Sequence, residues 1–108
     1  MMACKDEKKL RRLVDVCVRD ELFKKTLSTS VFRSFVEILN NFRRGKFSEC
    51  LSSKTRKKAV GHRRIIKTLV DKRLSLRKRK RIFLKTKGKF RNFCHSYLLK
   101  DFFSRCLE

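Results

Sequence analysis

The chain has no proline in 108 residues and only three glycines, Gly45, Gly61 and Gly88. The residues that most often stop a helix are nearly absent, so long stretches can stay helical until a polar cap or a change in charge ends them. Ten phenylalanines and 41% hydrophobic residues supply a core. A chain this short nevertheless buries only about 60–65% of the surface it exposes when unfolded. The expected fold is all-α: a small bundle of four or five short helices, one domain overall, with a basic helical surface.

Periodicity places the helices. Leu10, Leu13, Val14 and Cys17 recur at steps of three and four, which predicts an amphipathic helix from Asp6 to about Lys24. Ser28, Thr29 and Ser30 offer caps for a second helix. There Val31, Phe32, Phe35, Val36, Ile38, Leu39 and Phe42 occupy about half of the helical wheel, and Gly45 closes it. This is the richest apolar surface in the chain and belongs at the centre of the core. Phe47, Cys50 and Leu51 tether a short connector, so residues 1–51 read as an N-terminal helical hairpin.

Ser52 or Ser53 caps a third helix running from about Lys54 to Val70. Ala59, His62, Ile65, Ile66, Leu69 and Val70 line one side of it; Arg56, Arg63 and Lys67 line another, with Lys57 and Arg64 beside them. After a short link over Asp71–Leu74, Ser75 caps a fourth helix to about Thr86. Leu76, Phe83 and Leu84 share a side of that helix and Ile82 lies off it, which leaves little apolar surface. Residues 52–89 thus form a pair of basic helices. Residues 90–108 form an apolar C-terminal helix, with Phe90, Phe93, Cys94, Tyr97 and Leu98 as a stripe and Phe102 and Phe103 beyond it. This Phe-rich segment needs a surface to pack on, within the chain or by self-association with a second copy.

Charge is distributed very unevenly. Of 36 residues between Lys54 and Lys89, 17 are Lys or Arg, and Asp71 is the single acid, in a protein whose formal net charge is +22. A run of four or five bases is ordinarily a solvated helix face. Here unpaired bases three and four residues apart repel by a few tenths of a kcal/mol per close pair, many times over, and a polyanion relieves that repulsion. The bases expected to meet phosphates are Arg56, Arg63, Arg64, Lys67, Arg77, Lys78, Arg79, Lys80 and Arg81.

Enzyme chemistry finds little support. Two histidines and ten scattered acids offer few groups for acid–base catalysis. His62 lies on the apolar side of its helix and reads as structural. Cys94, His95 and Cys106 lack the paired spacing of a zinc site, and neither a phosphate-binding P-loop nor a dinucleotide-binding glycine motif occurs. No catalytic residue, metal or cofactor is expected. Five cysteines at irregular spacing, with no signal-type start, read as reduced thiols in cytosol or nucleus, and no apolar run is long enough for a membrane span.

Nucleic acid is the favoured partner. Base reading needs positioned Asn, Gln or Arg side chains, and the fourth helix offers bases, Ile and Phe, a composition for phosphates rather than sequence. The third and fourth helices have the outline of a helix-turn-helix, which keeps a sequence-specific regulator as an alternative. A ribosomal or ribonucleoprotein component is another. A basic amphipathic helix lying on anionic lipid is less favoured, since no tryptophan is present and the apolar face of the third helix is needed for the core. Arg77–Arg81 also matches the basic pattern of a nuclear import signal.

Leu39-Asn40-Asn41-Phe42-Arg43-Arg44-Gly45 is followed by a basic helix containing Arg63-Arg64-Ile65-Ile66-Lys67-Thr68-Leu69-Val70. Then come the block from Asp71 to Leu84, Gly88 and an aromatic residue. Over about residues 36–90 this order resembles the small basic proteins of adintoviruses and Maverick/Polinton elements, which compare with the adenovirus core protein X (mu) precursor. The resemblance implies a virion or element-encoded protein, in the nucleus or virion, that binds packaged double-stranded DNA in preference to RNA and without strong sequence preference. Where that family typically carries Gly-Gly-Phe before a Gly-, Ala-, Pro- and Leu-rich tail, a site for a maturation protease, this chain has Gly88-Lys89-Phe90 and a tail without proline.

Overall fold

Three of the helices begin on a serine. In the computed structural model, which describes residues 7–16, 25, 27–46, 48–86 and 88–106, the Ser28, Ser52 and Ser75 hydroxyls accept from the backbone N–H groups of Val31, Thr55 and Lys78. Each satisfies a donor that has no partner inside its helix. The helices are α1 (Glu7–Val16), α2 (Thr29–Arg43), α3 (Ser53–Val60), α4 (Arg63–Leu69), α5 (Leu76–Lys85) and α6 (Lys89–Phe93), with a 3₁₀ turn at Ser48–Cys50. α6 runs on into π-helical turns at Cys94–Leu99 and Phe102–Cys106. The fold is an all-α bundle, without strands among the described residues. The predicted continuation of the first helix through Cys17 to Lys24, and the tether at Phe47, lie outside the described residues.

α2 ends as its glycine predicts. Gly45 takes φ +75° at the position after the cap, where only glycine is unstrained. Its N–H bonds the Phe42 carbonyl while that of Lys46 bonds the Asn41 carbonyl, the paired closure of a Schellman motif.

Among the described residues six α-helices stand where four or five were expected, because the predicted third helix is two. The N–H of Gly61 bonds Lys58 O and that of His62 bonds Ala59 O, so the turn tightens to i→i−3 and the helix stops. Glycine weakens the helix here by about 1 kcal/mol relative to alanine, and the break lets the two halves meet different neighbours. α3 packs on α6 and its π-helical continuation, while α4 packs on α2 and α5. The His62 ring fills the corner between them, 5.5 Å from the Phe90 ring and 5.2 Å from that of Phe93.

α2 does lie at the centre, burying Val31, Phe32, Ser34, Phe35, Val36, Ile38 and Leu39. α1 reaches the same core through Leu10 and packs on α2 and the C-terminal segment. α5 has little apolar surface, as expected, with Phe83 as its buried residue, yet that one ring anchors the helix. Phe83 is 2% exposed and sits among three rings, with centroids 5.0 Å from Phe35, 5.7 Å from Phe32 and 6.1 Å from Phe90. Ile82 packs against the core along with Leu76 and Leu84.

The C-terminal segment packs within its own chain: Phe90, Phe93, Cys94, Leu98, Leu99, Phe102 and Phe103 are all buried. An i→i+5 turn rotates each residue less than an α turn, so the neighbours Leu98 and Leu99, and again Phe102 and Phe103, can both face inward. Asp101, between the two π-helical stretches, accepts at Oδ2 from the Ser52 N–H at 3.0 Å and from Thr55 Oγ1 at 2.7 Å. A carboxylate is thereby seated on the N-terminus of α3. Despite its net charge the chain is compact, with a radius of gyration of 12.7 Å against about 13 Å expected for this length.

Candidate nucleic-acid interface

The basic surface is built on α4, the turn after it, and α5. Burying Ile66 and Leu69 on α4 turns Arg63, Arg64 and Lys67 outward, and all three are exposed. On α5 the buried position is Phe83, and the far side of that helix carries Arg77, Lys78, Arg81 and Lys85, also exposed. Arg77, Arg81 and Lys85 are four residues apart and so form one row, with Lys78 beside it.

The nine predicted bases therefore divide. Arg63, Arg64, Lys67, Arg77, Lys78 and Arg81 lie on the outward faces of α4 and α5. Arg56 is also exposed but stands on α3, before the break, next to the exposed Lys57. Arg79 and Lys80 are half-buried, on the side of α5 that turns toward Phe83. Arg79 Nη1 donates to the Leu69 carbonyl at 3.2 Å, which closes the C-terminus of α4, and its buried Nε has no hydrogen-bond partner. Lys85 was missed, although its spacing from Arg81 was the signal that could have found it.

Little negative charge offsets this surface. Asp71, the one acid of the run, accepts from the Arg73 N–H and Nε at Oδ1, at 3.0 and 3.1 Å, and from Nη2 at Oδ2 at 3.0 Å. Those side-chain and backbone bonds hold its carboxyl below the usual range. No acid occupies the first turn of α2, α3, α4, α5 or α6. Bases fill that turn in α3, α4 and α5 instead, at Lys54, Arg56, Arg63, Arg64, Arg77 and Lys78. At α4 and α5 the positive end of the helix dipole is thus flanked by further positive charge, an arrangement that disfavours the bare protein and favours a bound anion, whereas at α3 the Asp101 carboxylate offsets it.

Other polar groups are given over to the fold. Lys54 and Lys58 lie over the Tyr97 ring, at 5.8 and 5.0 Å. Arg91 is buried and donates from Nη2 to the Leu84 carbonyl at 3.2 Å. Burial, then the neighbouring Lys58 and Lys89, hold the His62 pKa below its ordinary value, so the imidazole is neutral at pH 7. Cys94 is buried and Cys50 half-buried, both as thiols. Among the described residues no cluster of His, Cys, Asp or Glu could hold a metal ion, and no helix is long and apolar enough to cross a membrane. Comparison with protein-family models, with curated proteins and with solved structures finds no match.

Proposed function

We propose that the chain is a non-enzymatic nucleic-acid-binding protein that grips the phosphate backbone of double-stranded DNA with little regard to sequence. The observation that supports this most directly is the outward row Arg77, Arg81 and Lys85, with Lys78 beside it and Arg63, Arg64 and Lys67 on the adjoining helix. The one acid of the run is already engaged by Arg73. Phosphate contacts of this kind position a protein on a duplex without reading bases, and no Asn or Gln stands on the outward face of α5. The resemblance to virion and element-encoded basic proteins adds a setting, nucleus or virion.

The helix-turn-helix outline of α4 and α5 supports a second reading, a sequence-specific regulator. A salt titration of binding to duplex DNA, single strands and folded RNA, in competition, separates these. If six or seven phosphates are neutralised, log K falls with log salt at a slope of about −5 to −6 on duplex DNA, with similar affinities for unrelated duplexes. One preferred duplex favours the regulator, preference for folded RNA favours a ribonucleoprotein component, and a flat salt response overturns phosphate binding altogether.

A further inference from the structure

Between α2 and the turn joining α4 to α5 lies an open cleft of about 370 Å³, near the lower end of the size range of small-molecule sites. Its apolar lining is Val36, Val70 and Leu76, and three bases, Arg33, Lys72 and Arg79, stand around it with one acid, Glu37, and the amide of Asn40. Arg33, Val36, Glu37 and Asn40 follow one another at steps of three, one and three, so a single face of α2 supplies half of the lining. Among the described residues, the side chains of Arg33, Glu37, Asn40 and Lys72 enter no hydrogen bond or ion pair, although Arg33 and Glu37 are spaced to pair with each other.

The three kinds of group match three parts of one ligand. The cations exceed the acid by two, which calls for an anion such as a phosphate. The half-buried Leu76, with the edges of the buried Val36 and Val70 beneath it, offers a small apolar floor to a flat ring. The carboxylate accepts and the amide both donates and accepts, a set that can pair with the edge of a base outside a duplex. Guanine presents donors for a carboxylate beside an acceptor for an amide N–H. We infer that this cleft takes one nucleotide unit, an unpaired base together with its phosphate. The inference deepens the nucleic-acid reading above and rests on it, since the same surface would bring unpaired nucleotides to the cleft. It uses residues apart from the outward row, however. The nucleotide has two sources, free in solution or bulged from a strand.

The test is titration of the full chain, followed by amide NMR shifts, with guanosine monophosphate, guanosine and inorganic phosphate. Duplex DNA with and without a single bulged guanosine forms a second arm. The expected result is that the monophosphate binds at least tenfold tighter than inorganic phosphate or guanosine and moves the signals of Val36, Asn40, Val70 and Leu76. Arg33→Ala and Asn40→Ala each weaken that binding about tenfold, whereas Arg81→Glu leaves it within twofold while weakening fully paired duplex. Tighter binding of the bulged duplex, lost in Asn40→Ala, identifies the strand as the source; tight binding of the monophosphate with no bulge preference identifies the free nucleotide. Equal affinity for the monophosphate and inorganic phosphate, or shifts confined to the outer face of α5, overturns the inference even if paired duplex binds normally. Failure of duplex binding with the monophosphate still seated in the cleft would instead overturn the backbone-gripping function.

Discussion

Arg79 donates from Nη1 to the carbonyl oxygen of Leu69 at 3.2 Å, so a base from the middle of the most charged stretch of the chain closes the helix before it. Arg91 does the same for α5 at the Leu84 carbonyl. In both, a cation sits at the negative end of a helix dipole, where it is stabilising. Arg79→Ala should lower stability by about 1–2 kcal/mol, read by urea denaturation at fixed salt. Arg81→Ala should leave stability within about 0.5 kcal/mol and instead weaken DNA binding. The reverse pattern would mean that Arg81, not Arg79, is part of the fold.

Charge reversal along the outward row separates contact from structure further. Arg77→Glu, Arg81→Glu and Lys85→Glu together should weaken binding to unrelated duplexes equally and make the salt slope shallower by about 3, with helicity by circular dichroism retained. Loss of affinity for one sequence alone would contradict backbone gripping.

Phe83 ties the basic helix to the core through Phe32, Phe35 and Phe90. Removing a buried ring of this kind costs about 3–5 kcal/mol, so Phe83→Ala should unfold much of the protein at ambient temperature. Phe83→Leu, which keeps most of the volume, should fold and show a lower thermal midpoint. If Phe83→Ala unfolded no more readily than the parent, α5 would not be anchored by this ring.

Acid should destabilise the protein in two windows. The His62 pKa is depressed when folded, so the unfolded state takes up that proton first, and stability falls as pH drops below the ordinary imidazole value of about 6.5. Burial alone would raise the Asp101 carboxyl, but its bonds from Thr55 and Ser52 and the nearby Arg105 hold it low. Its stabilising contribution is therefore present above the ordinary carboxylate range and is lost as pH falls through the depressed folded value. Denaturant midpoints measured from pH 8 to pH 3 should show a smaller upper step in His62→Phe and a smaller lower step in Asp101→Asn, the remainder coming from His95 and Asp71, whose pKa values are also lowered in the fold.

Salt should act on folding and binding in opposite senses. With the helices of the basic run lacking acids in their first turns, screening relieves repulsion, and the thermal midpoint of the protein alone should rise between 50 and 500 mM salt, at a Debye length falling from about 14 to about 4 Å. Over the same range its affinity for duplex DNA should fall. A midpoint indifferent to salt would mean that the surface charges are too far apart to matter.

Local signals were the legible ones. Ser28, Ser52 and Ser75 act as caps and Gly45 as a terminator because these depend only on neighbours in sequence. The apolar stripe of α2 is read directly into the core for the same reason. The break at Gly61 was not legible, since glycine alone tolerates a helix and the deciding contacts of His62 come from Phe90 and Phe93, some thirty residues on. The weight of Phe83 was hidden too: one ring among five consecutive bases and two aliphatic neighbours gives a weak stripe, and its partners lie on two other helices. In the interface, counting bases named the segment but not the inward turn of Arg79 and Lys80. Composition treats all bases alike, whereas the position of Phe83 fixes which of them face out.

The widened turns after Phe93 make the C-terminal segment sensitive to residue count. Deleting one residue between Leu99 and Phe102, where the backbone is α-helical, with the widened turns on either side kept, would swing the rest of the segment by about 100°, carrying Phe102 and Phe103 off the core. A loss that also took Asp101 away would remove the carboxylate from the N-terminus of α3 and leave Ser52 alone to cap it. Many apolar exchanges there would be absorbed, yet a single in-frame codon deletion would not. In this stretch the spacing of the chain carries information that its hydrophobicity does not.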